Sequence, residues 1–305
     1  MRSDRPIVAI GELLWDMLLT GPRPGGAPFN FAFHCHQLGH RAIMVSRVGE
    51  DELGHKLRQK VLRLRLSDEF IQADSVHPTG TVSVEVDQAG QPKYTIARPV
   101  AWDYLEWNDS LAALAKEATA VCFGTLAQRT MQNRDLVSAF VANTREDCLA
   151  ICDINFRRPS LTDKIIEDSL RMCDWLKANE EEAKYIAELI PATLGSPHSH
   201  SGSDRILSRL MGAISGNRAL CAMSLGASGC IVGTSEATVK LPGIPVQVAD
   251  TVGAGDAFTA ALLTQHLEGK PLDQAARFAN AYAAVVASKR SGTPSVTREE
   301  VERLL

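Results

Sequence analysis

The stretch ADTVGAGDAF, residues 249–258, places three small residues directly before an acid, and the apolar run AALL follows shortly after it. Small residues let a backbone close around a ligand, and the free N–H groups at a helix N-terminus attract negative charge. We therefore expect a strand that ends near Asp250, an anion site over residues 253–255, and a helix that begins at Asp256. The rest of the chain indicates what kind of fold surrounds this unit.

Asp256 stands at the start of that predicted helix, where the helix dipole favours an ionised carboxylate by about 0.3–1 kcal/mol. A carboxylate beside a phosphate site needs a chemical reason, because the two anions repel each other. Proton abstraction from an attacking hydroxyl would supply the reason, while backbone N–H groups hold the charge of the transferred phosphoryl group. A helix cap after a glycine-rich turn is the plain structural alternative, and the motif alone slightly favours it.

Three common nucleotide-binding patterns do not occur in the sequence. A dinucleotide-binding G-x-G-x-x-G would need glycine at position 258, where Phe258 stands. The sequence has no P-loop of the form G-x-x-x-x-G-K-[ST], and it has neither of the protein-kinase signatures HRD and DFG.

The composition is that of an ordinary globular protein, with 45% hydrophobic and 22% charged residues among 305. The formal charge of −4 offers no basic excess to a nucleic acid or an anionic membrane. No apolar run reaches the length of a membrane span, and Glu12 and Asp16 interrupt the run that resembles a signal peptide. We expect a cytoplasmic protein with no nucleic-acid or membrane partner, whose seven scattered cysteines are buried thiols.

Short apolar runs alternate with helical patterns along most of the chain. PIVAIG and RAIMVSRVG read as strands, and PFNFAFHCHQLG and DELGHKLRQKVLRL read as helices, the first ending at Gly39. Further strands are expected at AVCFGT, LAICDIN, WLKAN, LCAMSLG and GCIVGT. A long helix is expected at PLDQAARFANAYAAVVASKR, and TREE from Thr297 is a capping box. This alternation predicts one α/β domain over residues 1–305 with a parallel sheet covered by helices.

The sequence period changes at TGTVSVEVDQAGQPKYTI, where alternate valines and a DQAG turn predict an antiparallel hairpin. A hairpin inserted in an α/β chain is a natural candidate for a lid or an oligomer contact. Pairing two such lids would cover their exposed sheet edges, so we also expect a homodimer. The loose segment 192–204 reads as an exposed loop without an assigned role.

Several motifs, in order, resemble those of the PfkB, or ribokinase-like, small-molecule kinases, and the resemblance covers essentially the whole chain. GELLWDML with GGAPFNFAFHCHQLG is similar to the family's first signature, and DTVGAGDAF is similar to its second. VSRVGEDELG, CDINFRRPSL, LKANEEE and SLGASG lie between them in the family's order. The resemblance implies a ribokinase-like three-layer α/β/α sandwich with a small β lid formed by about residues 12–30 and 78–103. It also implies a kinase that uses ATP and Mg²⁺ to phosphorylate a small sugar.

The same resemblance implies a role for individual residues. The catalytic base would be Asp256, with an anion hole formed by Gly253, Ala254 and Gly255, and with Arg157 facing the substrate or the phosphates. The sugar hydroxyls would contact Asp16, Gly25, Gly26 and Asn30. The nucleotide and its Mg²⁺ would be served by Asn179, Glu182, Ser224, Gly226, Gly229 and Asn280. A potassium ion could lie among Asp250, Val252, Ser288, Gly292 and Ser295, mainly on main-chain oxygens.

Most of these residues also have a plainer structural interpretation. Asp16 could cap a turn, Asn30 could cap a helix, and Glu182 could be one of the three solvated acids in NEEE. Trp102 could line the sugar site or pack in the core. Residues two apart on a helix point to different sides, so the HCH run at 34–36 is expected to serve helix packing rather than a metal.

The first signature, the lid segment and DINFR look closest to fructokinases, so phosphorylation of D-fructose is the leading expectation. Kinases of 2-keto-3-deoxygluconate, ribose or nucleosides share the scaffold, and Phe29 and Phe31 leave the specific sugar open. A carboxylated sugar would need a cation such as Arg98 or Arg157, the latter equally suited to a surface ion pair. A non-catalytic sugar or nucleotide sensor is the second hypothesis, and the retained Asp256 argues against it.

Overall fold

The computed structural model describes residues 4–18, 21–86, 92–157, 160–191, 202–214 and 218–305. The strands are β1 (Ile7–Ile10), β2 (Leu14–Leu18), β3 (Gly21–Gly25), β4 (Ala42–Gly49), β5 (Ile71–Asp74), β6 (Gly80–Val86), β7 (Pro92–Ile96), β8 (Ala120–Gly124), β9 (Leu149–Asp153), β10 (Trp175–Asn179), β11 (Leu220–Ser224), β12 (Cys230–Thr234) and β13 (Thr238–Leu241). The helices are α1 (Ala27–Gln37), α2 (Glu52–Arg63), α3 (Asp109–Glu117), α4 (Met131–Ala142), α5 (Asp163–Met172), α6 (Glu180–Leu189), α7 (Ser203–Ala213), α8 (Ala254–Leu267), α9 (Leu272–Ala287) and α10 (Arg298–Glu302). Short 3₁₀ turns cover Ala101–Tyr104, Ala127–Arg129 and Gly226–Ser228.

The large sheet has the strand order β13-β12-β11-β10-β9-β8-β1-β4-β5 within the described residues. The pairs from β11 to β5 are parallel, whereas β12 and β13 are added antiparallel at one edge. The central strands are short apolar runs, such as IVAI in β1 and AVCFG in β8, that are buried along their whole length. Such runs are typical of parallel strands with helices on both faces.

Helices cover both faces of this sheet. Successive side chains of a strand point in opposite directions, so the apolar strands place apolar side chains on both faces. Ile7 and Ala9 pack in a core that α1, α2, α8 and α9 close, whereas Val8 and Ile10 pack in a second core that α3 to α7 close. The predicted three-layer α/β/α arrangement with a mainly parallel sheet is therefore confirmed.

A second, four-stranded sheet has the order β3-β2-β6-β7. Its strands lie within the two stretches, 12–30 and 78–103, from which a lid is predicted. β6 and β7 form the predicted antiparallel hairpin, and its DQAG turn falls outside the described residues. The β2–β3 pair has no counterpart in the sequence analysis. The Trp15 indole N–H donates to the Leu53 carbonyl at 3.0 Å and ties this sheet to α2.

The prediction of a strand that ends near Asp250 is wrong. β13 ends at Leu241, and an irregular segment runs from there to the glycine turn. The physical reason lies in Pro242 and Pro245, which have no N–H group to donate to a sheet ladder. The segment is anchored instead at its far end, where the N–H groups of Ala249 and Asp250 donate to one carbonyl at the end of α9.

Most local signals in the sequence hold in the structure. α1 ends just before Gly39, which has a φ of 86°, and the side chain of Thr297 caps α10 in a capping box with Glu300. All seven cysteines are buried free thiols. None of the described helices is both long and apolar enough to cross a membrane. Of the predicted loop 192–204, residues 192–201 fall outside the described residues, and α7 begins at Ser203.

Replacing Ser291 by glycine should stabilise the protein. Ser291 has a φ of 94°, and left-handed backbone costs a residue with a Cβ about 1–2 kcal/mol. Removing this cost by glycine is partly offset, because glycine has a larger conformational entropy in the unfolded state. We expect Ser291→Gly to raise the free energy of unfolding by about 1 kcal/mol in urea melts. Ser288→Gly is the matched control, because Ser288 has a φ of −78° and should lose stability. A loss of stability in Ser291→Gly, whatever its size relative to the control, would contradict the prediction.

Candidate active site

The candidate site lies where the carboxyl ends of the parallel strands meet. Asp153, Asn179 and Ser224 are the last residues of β9, β10 and β11, and Asn179 pairs directly with Ser224. Ligands of open α/β sheets bind at this edge because the loops and helix N-termini that follow the strands converge there. The N-terminus of α8, which carries the glycine turn, also faces this edge, since Lys177 in β10 approaches Gly255.

Asp256 is buried in the first turn of α8, with 9% of its surface exposed. The side-chain amide of Asn30 donates to its Oδ2 at 2.8 Å. Burial, reinforced by the negative charge of Asp153, raises the pKa of Asp256 to about 7. Burial therefore outweighs the helix dipole, which was expected to keep this carboxylate ionised. A dipole effect of about 0.3–1 kcal/mol cannot move a pKa by a whole unit, which corresponds to about 1.4 kcal/mol.

The turn that precedes Asp256 requires glycine at its start and leaves little room for a side chain at its end. Gly253 has a φ of 78° and precedes the first residue of α8, and a Cβ atom there would lie 2.5 Å from the Cα of Gly292. A Cβ atom at Gly255 would lie 2.8 Å from the ammonium nitrogen of Lys177. The predicted anion hole at 253–255 thus combines the N–H groups at the start of α8 with a nearby cation.

Lys177 and Asp153 form a buried ion pair beneath this turn, and the sequence analysis did not select either residue. Lys177 Nζ donates to Asp153 Oδ1 at 2.9 Å, and the hydroxyl of Thr259 donates to Asp153 Oδ2 at 2.7 Å. Burial lowers the pKa of Lys177, but the charges of Asp153 and Asp256 raise it by more, so the side chain stays protonated. A lysine inside the apolar strand run WLKAN was the signal that could have found this pair.

The residues predicted to bind sugar converge at the N-terminus of α1, and we refer to this region as the sugar end. The carboxylate of Asp16 lies over Gly25, where a Cβ atom would be 2.2 Å from Asp16 Oδ2. Burial raises the pKa of Asp16 to about 6, although the charge of Arg157 opposes the rise. Gly26 precedes the first residue of α1, and Asn30 lies one turn further along the same helix. The structure therefore brings together all four predicted sugar contacts, Asp16, Gly25, Gly26 and Asn30.

Glu12 is, with Asp16, a second buried carboxyl group at the sugar end, and no role was predicted for it from the sequence. Its Oε1 accepts the N–H of Ala27 at 3.2 Å, and its Oε2 has no hydrogen-bond partner among the described residues. Burial raises the pKa of Glu12 to about 7, and its charge contributes to the raised pKa of Asp256. The sugar end therefore holds three carboxyl groups that burial makes less acidic.

The three remaining residues assigned to substrate differ in where they lie. Arg157 is exposed, and its charge lowers the pKa values of Asp16 and Glu12, so it stands near the sugar end. Arg98 is exposed after β7. The prediction that Trp102 contacts the sugar is wrong for this structure, because its side chain is 0% exposed. The Arg129 guanidinium lies 4.0 Å from the centre of the Trp102 ring and covers it.

Three of the predicted nucleotide residues, Asn179, Ser224 and Gly226, line a cleft at the other end of the edge. A surface cleft of about 410 Å³ is lined by Asn179, Glu180, Glu181, Lys184, Ser224, Leu225 and Gly226. Asn280 donates to the carbonyl of Pro242 at 2.9 Å, and a Cβ atom at Gly229 would lie 2.1 Å from the Leu241 carbonyl. Asn280 and Gly229 therefore hold the segment at 241–242 beside this cleft.

Glu182 is not one of three solvated acids, because it is 3% exposed. Its two carboxylate oxygens accept the backbone N–H groups of Asn179 and Phe156 at 2.8 and 3.0 Å. The Asn179 side chain accepts the Glu182 N–H in return, which completes a capping box. This arrangement fixes one buried carboxylate directly beneath Asn179, which lines the cleft.

The residues proposed around potassium lie on two neighbouring segments. The Asp250 carboxylate accepts the N–H groups of Val252 and Ser291 at 3.0 and 3.3 Å and so joins the segments. The carbonyl of Gly292 accepts from His34 at 3.0 Å if that ring nitrogen carries the proton, and the carbonyl of Ser295 accepts from Lys289 at 2.5 Å. A carbonyl oxygen has a second lone pair, so these bonds leave acceptor capacity for a cation. The hydroxyl of Ser288 donates instead to the Val285 carbonyl, within the end of α9.

The chain is similar to known proteins over most of its length. The chain matches the pfkB family carbohydrate kinase over residues 20–298. A fructokinase of Klebsiella pneumoniae is 28% identical over 268 residues, which cover 84% of this chain and 83% of that protein. The structure of an uncharacterized sugar kinase from Pyrococcus horikoshii in complex with ATP has a TM-score of 0.80 at 28% identity and covers 98% of this chain and 100% of that one. A fructokinase double mutant from Vibrio cholerae O395, with fructose, ADP and potassium ion bound, has a TM-score of 0.79 at 21% identity, with coverage of 100% and 99%.

Proposed function

The chain belongs to the pfkB family of carbohydrate kinases, and from that premise we propose that it transfers the γ-phosphoryl group of ATP to the 6-hydroxyl of D-fructose, with Asp256 as the base. The observation that carries the proposal is the placement of Asp256. It is buried, it is held by Asn30 from the sugar end, and it opens the helix whose N-terminus forms the glycine turn. A base in that place lies between the two substrates.

The reaction balances through two groups of the protein. Asp256 accepts the proton of the sugar hydroxyl as the hydroxyl oxygen forms a bond to the γ-phosphorus, and the bond to the β-phosphate oxygen breaks to release ADP. The N–H groups of residues 253–255 stabilise the negative charge of the transferred group. Lys177 adds a fixed positive charge directly behind this turn, where low dielectric makes the charge more effective than in water.

Two metal ions belong to the same proposal. Mg²⁺ is held mainly by phosphate oxygens and waters with one or two carboxylates, and Glu182 is a buried carboxylate bonded to Asn179 at the cleft. Mg²⁺ would neutralise the charge of the β- and γ-phosphates. Potassium would take carbonyl ligands on the segments around Asp250 and Gly292, next to Gly253.

The small sheet, the assembly and the compartment are also proposals. The small sheet would close over the sugar and exclude water, which could otherwise accept the phosphoryl group. A homodimer joined through the edge strands β3 and β7 would pair their backbone groups, and a cytoplasmic location would suit the free cysteines.

The identity of the sugar is tested by ADP release from Mg-ATP across a panel of fructose, ribose, 2-keto-3-deoxygluconate, tagatose, glucose and nucleosides, each with and without potassium. We expect fructose to have the highest kcat/KM. Preference for a carboxylated sugar would still support a kinase, and Arg98 and Arg157 would then be the candidate contacts for the carboxylate. No turnover with any sugar, despite measurable ATP binding, would favour a sensor on the same scaffold.

Activity and stability should change in opposite directions between pH 5 and 8. Turnover requires ionised Asp256, so kcat/KM should rise with pH, by about tenfold per unit below a midpoint near its pKa of about 7, and then level off. The folded pKa values of Glu12 and Asp256 exceed their unfolded values, so the folded state holds protons that the unfolded state releases. Their stabilising contribution is complete below the unfolded pKa values and is lost as pH rises through about 7.

Two measurements check this prediction, the pH profile of kcat/KM and the melting temperature over the same range. The Asp256→Asn variant should have a smaller decrease of melting temperature with pH than the wild type. A kcat/KM profile that stays flat from pH 5 to 8 would contradict the assignment of Asp256 as the base.

A further inference from the structure

One face of α1 carries a row of three polar side chains, Asn30, His34 and Gln37, at positions i, i+4 and i+7. Packing alone does not account for His34, the first histidine of the HCH run. Its side chain is 0% exposed, and both of its ring nitrogens have polar partners. A buried histidine with two partners fixes the positions of both.

The partners of His34 lie on α9 and on the C-terminal loop. Nδ1 lies 3.1 Å from the hydroxyl of Tyr282, and Nε2 lies 3.0 Å from the carbonyl oxygen of Gly292. A carbonyl oxygen can only accept, so Nε2 carries the proton, and Nδ1 of the neutral ring accepts from the Tyr282 hydroxyl. The side-chain amide of Gln37 in turn donates to the Tyr282 oxygen at 2.8 Å. The hydrogen bonds therefore run in one direction, from Gln37 to Gly292.

Gln37 also holds the far end of the same loop. Its amide nitrogen lies 3.3 Å from the Pro294 carbonyl, and its Oε1 accepts the N–H of Val296 at 2.9 Å. Two side chains of α1 thus bind the loop at 292–296 at three backbone positions. We refer to His34, Gln37 and Tyr282 as the loop clamp.

The clamped loop lies directly behind the reacting groups. A Cβ atom on Gly253 would lie 2.5 Å from the Cα and 2.6 Å from the oxygen of Gly292, so the two backbones are in close contact. On its other side, a Cβ atom on Gly292 would lie 2.8 Å from Nδ2 of Asn30, the nitrogen that donates to Asp256. A shift of Gly292 would therefore displace both the glycine turn and the partner of the base.

We propose that His34 is a positioning residue for phosphoryl transfer. It acts through the Gly292 carbonyl to fix the relative positions of the turn at Gly253 and the Asn30–Asp256 pair. The proposal rests on the proposed kinase reaction. His34 contacts neither substrate in that reaction, so its loss should lower kcat and leave the KM values nearly unchanged. A misplacement of about 1 Å can cost about 100-fold in rate, and we expect His34→Phe to lower kcat about 10- to 100-fold.

Rescue by a conservative variant separates positioning from simple packing. His34→Gln keeps an N–H donor at a similar reach, so it should recover kcat to within about threefold of the wild type. Tyr282→Phe keeps the ring and removes the hydroxyl, and it should lower kcat about two- to fivefold. His36→Phe on the same helix is the matched control, because His36 is only partly buried, and it should leave kcat unchanged.

A measurement that does not depend on turnover is backbone hydrogen exchange followed by mass spectrometry. We expect exchange about tenfold faster in peptides covering 251–255 and 291–296 of His34→Phe, with near wild-type exchange in His34→Gln. Wild-type kcat and exchange in His34→Phe would overturn the proposal, and so would faster exchange spread evenly over the sheet. If the wild type phosphorylates no sugar, the kinase proposal fails, and the exchange pattern still decides whether the clamp holds the turn.

Discussion

Asp256→Asn should lower kcat by about 10²–10⁴-fold, the usual contribution of a general base, and should leave the KM for the sugar within about threefold. Asparagine has nearly the same shape as aspartate, and its side-chain oxygen can still accept the amide hydrogen of Asn30. The variant therefore keeps the geometry of the site and loses the proton acceptor. Steady-state kinetics with saturating Mg-ATP, together with sugar binding by calorimetry, separate the two effects.

The matched control is Asp273→Asn. Asp273 also lies in the first turn of a helix, α9, but it is exposed and lies away from the glycine turn. Its loss should leave kcat and KM unchanged. If Asp256→Asn retained more than about a tenth of wild-type kcat, the base would be another group, and Glu12, the other buried carboxyl group with a pKa near 7, would be the next candidate.

The sequence predicted the layers of the fold because the central strands are short apolar runs and several helices, such as α2 and α10, begin at a side-chain cap. β2 and β3 were missed for a physical reason. Gly21–Gly25 reads GPRPG, and glycine and proline normally mark turns, so nothing local predicts a strand there. The pair forms because β2 is held on both sides, by β3 and by β6, which is a non-local contact.

The site was predicted where its residues stand in motifs, and it was missed where burial decides their role. Asp256, Asn30 and Asp16 stand in the two signatures, and the structure brings them to one end of the sheet. Lys177 and Glu12 look like ordinary charged residues in apolar runs until the fold shows what surrounds them. For Trp102 the sequence predicted a sugar contact, whereas the structure buries the side chain. A large side chain near a lid can equally belong to the core, and Gly80 in β6 leaves room for the indole.

Lys177→Met should produce the second large loss of turnover, about 10²–10³-fold in kcat, which is the usual cost of removing one charge-stabilising donor from such a site. The ammonium group lies behind Gly255, so its loss removes positive charge where the transferred phosphoryl group develops negative charge. Lys177 also lowers the pKa of Asp256, and the midpoint of the kcat/KM profile should therefore move to higher pH in the variant.

The single variant will also lose stability, and a second substitution separates this loss from the catalytic effect. Lys177→Met leaves Asp153 buried without its cation, and breaking a buried ion pair typically costs about 3–5 kcal/mol. Adding Asp153→Asn removes the unpaired charge and keeps an acceptor for the hydroxyl of Thr259. The double variant should regain most of the free energy of unfolding and should remain at least about 100-fold slower than the wild type. Lys164→Met, which removes an exposed lysine paired with Asp168, should change neither quantity appreciably. Recovery of kcat together with stability in the double variant would show that Lys177 supports only the fold, whereas recovery of stability alone would assign it to phosphoryl transfer.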